Sequence, residues 1–261
     1  MRALQRIFRR VRPNSRRVKR ELLKIDGRTV EVTLKSDPRA HRFIVKVDPT
    51  TGEVSVVSPS VRSFDRALDF ARREKEWIAG RLANVPAQVP LAPGETVMLK
   101  GVEHVIRSGE PGSRPIWIDR DAARPTIRVS GRGEHLERRV VDWLKREARK
   151  RIEDRAAEYA LALGVSYKRI TIRDTSSRWG SCSSTKNLSF SWRLILAPPR
   201  VLDYVVAHEV AHLRELNHEP RFWRLVESLV PDVEKNQQWL ADNGALLHRY
   251  APRKRGGVDT P

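Results

Sequence analysis

The run "HEVAHLRELNH", positions 208 to 218, gathers three of the chain's seven histidines and two glutamates into eleven residues. His208 and His212 are four apart, so on an α-helix their rings stand one turn apart and about 40° apart around the axis. Both rings can reach one ion, and zinc takes imidazole nitrogens at about 2.0–2.1 Å in four-coordinate geometry. A third ligand must come from elsewhere, and His218 is the candidate if the helix ends in time. Asn217 tolerates the left-handed conformation that closes many helices, and Pro220 cannot continue one. Three neutral nitrogens would leave a fourth corner for water, which marks a catalytic rather than a structural zinc. Glu209, next to His208, can then serve as base. The metal lowers the pKa of bound water toward about 7, and the carboxylate takes that proton and passes it to a leaving amine. The pattern predicts amide hydrolysis with one Zn2+ per chain, held by His208, His212 and His218.

A helical histidine by itself is more often a surface or satisfied core residue, and His41, His104, His135 and His248 are read that way. The joint pattern is more specific, because His208, Glu209 and His212 interrupt a helix whose other inward positions (Leu202, Val205, Val206, Leu213, Leu216) are apolar. Polar groups placed there need a partner. The spacing matches the three-histidine metzincin motif, but Glu215 stands where that motif has glycine. No methionine follows Met98 to form the turn beneath the metal. A metzincin is therefore rejected.

The elements that must position this motif follow from periodicity. "RTVEVTLK" (28–35), "HRFIVKVD" (41–48) and "EVSVVSP" (53–59) alternate with period two and predict an antiparallel meander. A helix is expected from Ser63 to about Asn84, stopped by the proline-rich stretch 85–94. Strands are expected again within 95–108, 114–119 and 125–130. The character changes at 131–133, after which Leu136, Val140, Leu144, Ala148, Ile152, Ala156, Tyr159 and Leu163 mark a long amphipathic helix closed by Gly164. A strand at 167–174, a loop, a strand-like run at 187–197, the motif helix from 200 to about 216, and two short helices complete the reading. This predicts an α+β fold: an arm at 1–20, a β-rich region at 21–130 with one helix, a catalytic domain at 131–250, and a tail at 251–261. No repeat of fixed period suggests a solenoid.

Composition bounds the partners. The 261 residues suffice for one large domain or two modest ones, and the single Cys182 precludes an intramolecular disulfide and suits a reducing, cytoplasmic compartment. No apolar run reaches the length of a membrane span. The net charge is +19, and residues 1–20 supply nine Lys/Arg and no acid. Such a balance favours polyanions, nucleic acid among them, although a basic proteome or simple solubility explains it as well.

The segment 178–223, through its "RWGSC", "WRLILAPP", HExxH and "NHxxxFW" parts, resembles the YgjP-like metallopeptidases, relatives of the SprT-type zinc proteases. The resemblance implies a minimal zincin-like domain after the β-rich part, zinc on His208, His212 and His218, Glu209 as base, and a protein or peptide substrate. In zincins an edge strand above the active-site helix pairs with the substrate backbone. "NLSFSWRL" (187–194) is the candidate here, which makes Asn187, Trp192 and Arg193 substrate-binding candidates; an ordinary core strand is the other reading. Arg178 and Trp179, with Gly180, form a loop that either shapes the cleft or packs structurally. Arg178, Arg193, Tyr204 and His248 are candidates for stabilising the transition state, and Tyr204 also for substrate binding. Phe222 and Trp223 are expected to support His218 from below. The competing reading is a nucleic-acid-associated zinc protein, either a protease acting on DNA-bound proteins or a binding module with a structural zinc. A hydrolase of another amide or ester is a third.

Overall fold

The computed structural model describes residues 18–110, 115–131, 135–175 and 178–250. Most of the expected basic arm and the whole expected tail lie outside the described residues. Val18–Arg20, assigned to the arm by composition, instead begin strand β1 (Val18–Ile25). The chain forms two compact units that divide between Val85 and Pro86.

In the first unit β1 joins β2 (Arg28–Ser36), β3 (Ile44–Val47) and β4 (Val54–Ser58) in the order β1-β2-β4-β3. The β1–β2 and β3–β4 pairs are antiparallel, but β2 and β4 run parallel, so the sheet is not the expected meander. The chain passes beyond the place of β4 to lay down β3 at the edge, then returns to fill the gap. The single helix expected after β4 is two, α1 (Phe64–Arg73) and α2 (Lys75–Ala83), bent at Glu74. Alternate residues Val32, Leu34, Val54 and Val56 bury against Ala67, Ala71 and Ile78. Burial of each large aliphatic side chain stabilises the unit by roughly 1.5–3 kcal/mol.

The second unit opens with β5 (Thr96–Leu99), β6 (Val102–Gly109), β7 (Ile116–Asp119) and β8 (Thr126–Ser130). Their order, β5-β6-β8-β7, and their pairing senses repeat those of the first sheet. Helix α3 (Leu136–Leu163) follows the predicted stripe and is closed by Gly164 in the left-handed region, φ 63°. Val97, Leu99, Ile106, Ile127 and Val129 from the sheet share one core with Val140, Leu144, Ala148, Ile152 and Ala156 of α3. The change of composition at 131–133 therefore marks a passage from strands to helices inside one core, not the boundary between units.

Beyond α3 lie β9 (Arg169–Arg173), β10 (Gly180–Cys182) and β11 (Asn187–Ser191), then α4 (Pro199–Ala211), α5 (Pro220–Leu229) and α6 (Val233–Leu247). The three strands form one sheet in the order β10-β11-β9. Between β11 and α4 a 3₁₀ segment, Trp192–Leu196, is buried along its whole length. The backbone N–H groups of Lys100 and Gly101, at the β5–β6 turn, donate to Ile195 and Leu196 of this segment at 2.7 and 3.0 Å. Among the described residues no helix is long and apolar enough to cross a membrane.

Two substrate-binding candidates fall inside this segment. Trp192 is fully buried, and the Arg193 guanidinium stacks over its ring at 4.6 Å. Arg193 donates to Asp174 Oδ1 at 2.8 Å and to the carbonyls of Leu247 and Tyr250 at 3.1 and 3.0 Å. Its charge is thus spent on tying the end of β9 to the end of α6.

Replacing Arg193 with methionine strips three acceptors of their donor, and a loss of about 3 kcal/mol is expected, read as a lowered urea midpoint at constant slope. Burial pushes the Asp174 carboxyl up, but the hydrogen bond and charge of Arg193 outweigh it and hold it below its ordinary 3.8. A carboxyl lowered on folding stabilises above its unfolded pKa and loses that contribution as pH falls through the folded value. The stability gap between wild type and Asp174→Asn should therefore be open near neutral pH and close below about pH 4. A gap that is constant with pH would show that ionised Asp174 contributes nothing.

Candidate metal centre and active site

Helix α4 starts with Pro199 in its first turn, where a missing N–H costs nothing. Val201, Leu202, Val205, Val206, Val210 and Ala211 bury one broad face, and Glu209, only 6% exposed, lies among them. The helix stops at Ala211, earlier than the motif suggested, with His212 as its cap. The last turn tightens through Leu213 N–H to Val210 and Arg214 N–H to Ala211, both 3.0 Å. Asn217 does not adopt the left-handed conformation, so the tight turn, not that residue, frees the chain to swing back. His212 Nδ1 faces the Glu215 carbonyl at 3.0 Å, which fixes the ring and leaves Nε2 for another partner.

The swing brings His218 to the first two histidines. One nitrogen of each ring lies within 4.8 Å of the others, and Nε2 of His208 and His218 are 3.1 Å apart. Two ligands about 2.05 Å from a tetrahedral zinc would stand roughly 3.3 Å apart, so the donor set fits such an ion. Phe222, fully buried in the first turn of α5, forms the floor of the cluster, with its ring centroid 4.8, 4.5 and 4.8 Å from those of His208, His212 and His218. Trp223 flanks His218 at 5.8 Å, in keeping with the expected support. Burial, then the neighbouring imidazoles of His212 and His218, pull His208 down to about 4, and burial also lowers His212. Both rings are thus held neutral, with lone pairs available to a cation.

Glu209 points from α4 to the edge of the three-stranded sheet. A Cβ on Gly180 would lie 2.6 Å from both Cγ and Oε1 of Glu209, so the glycine is the space that the carboxylate fills. The backbone N–H of Cys182 faces the same carboxyl and favours its ionised form. The pairing explains this: Trp179 accepts from Ser191 and Ser183 donates to Asn187, so odd-numbered residues of this edge face β11 and even-numbered ones face outward. Burial raises Glu209 to about 7, against the opposing pull of Arg178 and of the Cys182 N–H. Burial, then the charge of Glu209, pushes the Cys182 thiol up, so it rests as a thiol.

The remaining candidates separate. Arg178 is exposed and close enough to influence Glu209. Trp179 packs its ring 5.1 Å from that of His248 and against Gly244, a structural contact. Tyr204 is buried, its hydroxyl accepts from Gln237 at 3.0 Å, and its ring meets His208 edge-on at 6.0 Å. The Asn187 side chain donates to the Thr185 hydroxyl at 2.8 Å. The strand read as the substrate-pairing edge, β11, lies in the middle of its sheet with β10 and β9 on either side; β10 is the edge beside α4. The sequence signal for this was Gly180 itself, since a glycine within a strand often marks the close approach of another group.

No curated protein matches the chain in sequence. Two solved structures resemble part of it. The metallopeptidase zymogen of Pyrococcus abyssi abylysin shows 22% identity and a TM-score of 0.33, over 38% of this chain and 97% of its own. The metallopeptidase zymogen of Methanocaldococcus jannaschii jannalysin shows 22% identity and a TM-score of 0.32, over 36% and 96%. Residues 41–243 match the YgjP-like metallopeptidase domain, a span that takes in most of the chain and the whole histidine cluster, and the chain belongs to that family.

Proposed function

We propose that the chain hydrolyses peptide bonds of proteins or peptides at one zinc ion held by His208, His212 and His218, with Glu209 as general base. The observation that carries this reading is Glu209 buried beside the three-histidine cluster and held by Gly180 and the Cys182 N–H. Zinc in such a site supplies a Lewis acid that acidifies water and polarises a carbonyl. The protein supplies the rest. Phe222 packs against all three rings and the Glu215 carbonyl orients that of His212, so the donor atoms converge. Glu209, raised to about 7, accepts a proton from the attacking water and hands it to the departing amine. The outward-facing backbone groups of Gly180 offer β10 as the strand on which a substrate backbone can pair. Arg178, exposed beside Glu209, is positioned to meet negative charge that develops on the carbonyl oxygen.

Three outcomes test this. Elemental analysis should find about one zinc per wild-type chain and a large loss in His218→Ala; full retention would remove His218 from the site. Glu209→Gln should keep its zinc and lose roughly 10²–10⁴ in peptidase kcat, and unchanged turnover would dismiss Glu209 as base. Gly180→Ala should fold and bind zinc yet lose at least about tenfold in kcat, because its methyl group displaces the carboxylate. Equal activity in that variant would mean that the contact with Gly180 does not place the base.

A further inference from the structure

The β9–β10–β11 sheet has two unlike faces. Ile170, Ile172, Leu188 and Phe190 turn toward the core, as period two requires. The alternate residues Arg169, Thr171 and Arg173 of β9 lie beside Asn187 and Ser189 of β11 and Ser181 of β10. Together with Arg178 they line an open cleft of about 490 Å³, and no carboxylate is among its lining residues. Arg169, Arg173 and Arg178 are exposed and form no ion pair among the described residues. Most charged residues on a folded surface sit among both signs. A cleft with two arginines that form no ion pair among the described residues, a third whose charge also reaches Glu209, and a floor of hydroxyls suits oxyanions.

We propose that this face docks an acidic segment of the polypeptide substrate, next to the bond presented to Glu209. The inference rests on the hydrolase reading above and names the substrate class for it. Continuity is the first argument, since Arg178, Trp179 and Gly180 line the cleft while Gly180 also abuts the Glu209 carboxylate. The Cβ side of Gly180 meets Glu209 on the core face, and the cleft lies on the other face. A substrate strand paired along the edge of β10 therefore turns every second side chain toward the arginine face. Spacing is the second argument. Arg169 and Arg173 are four residues apart on one strand, roughly 13 Å, and same-side side chains of an extended peptide recur about every 6.6 Å, so acids at alternate positions fall into step. Guanidinium forks accept carboxylates through two parallel hydrogen bonds. Single-stranded nucleic acid fits less well, because it needs aromatic faces on which bases stack. Trp179 is the one aromatic residue in the lining, and its ring is already packed on His248.

The test uses the full chain loaded with zinc. Binding is measured on Glu209→Gln with a fluorescein-labelled glutamate-rich peptide, its glutamine counterpart, and an oligothymidylate as competitor. The glutamate peptide should bind about tenfold tighter than the glutamine one, weaken with added salt, and lose that advantage in Arg169→Gln/Arg173→Gln. Equal binding of the two peptides, or an advantage that survives the double substitution, overturns the proposal. So does displacement by oligothymidylate at lower concentration than by unlabelled glutamate peptide, which assigns the face to nucleic acid. Cleavage is then followed on wild type with one cleavable segment carrying either flank. An acidic flank should lower KM at unchanged kcat, an effect lost in the double variant while cleavage of the glutamine-flanked peptide persists. Equal KM values overturn the docking proposal and leave the hydrolase reading intact. Docking without any cleavage does the reverse.

Discussion

The last two turns of α4 carry polar groups on a helix that is otherwise sunk in the core, and the second unit is organised around that expense. Burial holds His208 neutral and drives Glu209 toward its protonated form. Neither group would be tolerated there by packing alone, because an unpartnered buried polar group costs roughly 1–3 kcal/mol. The carboxylate is met by a backbone N–H and a gap in the sheet, whereas His208 turns Nε2 toward that of His218 over the Phe222 ring and keeps a buried Nδ1 with no hydrogen-bond partner. The same desolvation that makes the arrangement costly gives it its chemistry. A neutral imidazole is a donor to a metal, and a carboxyl near 7 can both take and return a proton.

Much of this was legible in the residues. Four-residue spacing, a return at position 218 and an apolar helical face were enough to assemble the histidine cluster and single out Glu209. Phe222 and Trp223 could be placed beneath it because they open the next helix. What could not be read was pairing. Local alternation identifies a strand but does not say which neighbour it takes, so β11 could be read as an edge or as a core strand; it is the inner strand, and β10, only three residues long, holds the edge. Arg193 misled for a related reason. An arginine beside a proposed cleft suggests substrate, yet its partners are Asp174 and two carbonyls more than fifty residues away. Contacts at such separations leave no local trace.

The two four-stranded sheets make the same point on a larger scale. They share strand order and pairing senses, yet no repeat stood out in the sequence. What they do share is chemistry of a looser kind: alternating apolar positions, a parallel central pair, and a helix that follows and covers one face. Binary pattern suffices to specify such a unit, and many sequences satisfy it. The boundary drawn from composition at 131–133 failed because the second sheet and α3 jointly bury one core.

The outward N–H of Cys182 and the missing side chain of Gly180 lie on the same side of β10, two residues apart. A slip of one residue in the β10–β11 register would turn that N–H inward, bring Ser181 against the carboxylate, and trade the arginine face for the core face. The approach of Glu209 to the strand edge is thus a readout of correct strand alignment, and a misaligned copy would lose the pocket for the carboxylate together with the packing of the sheet.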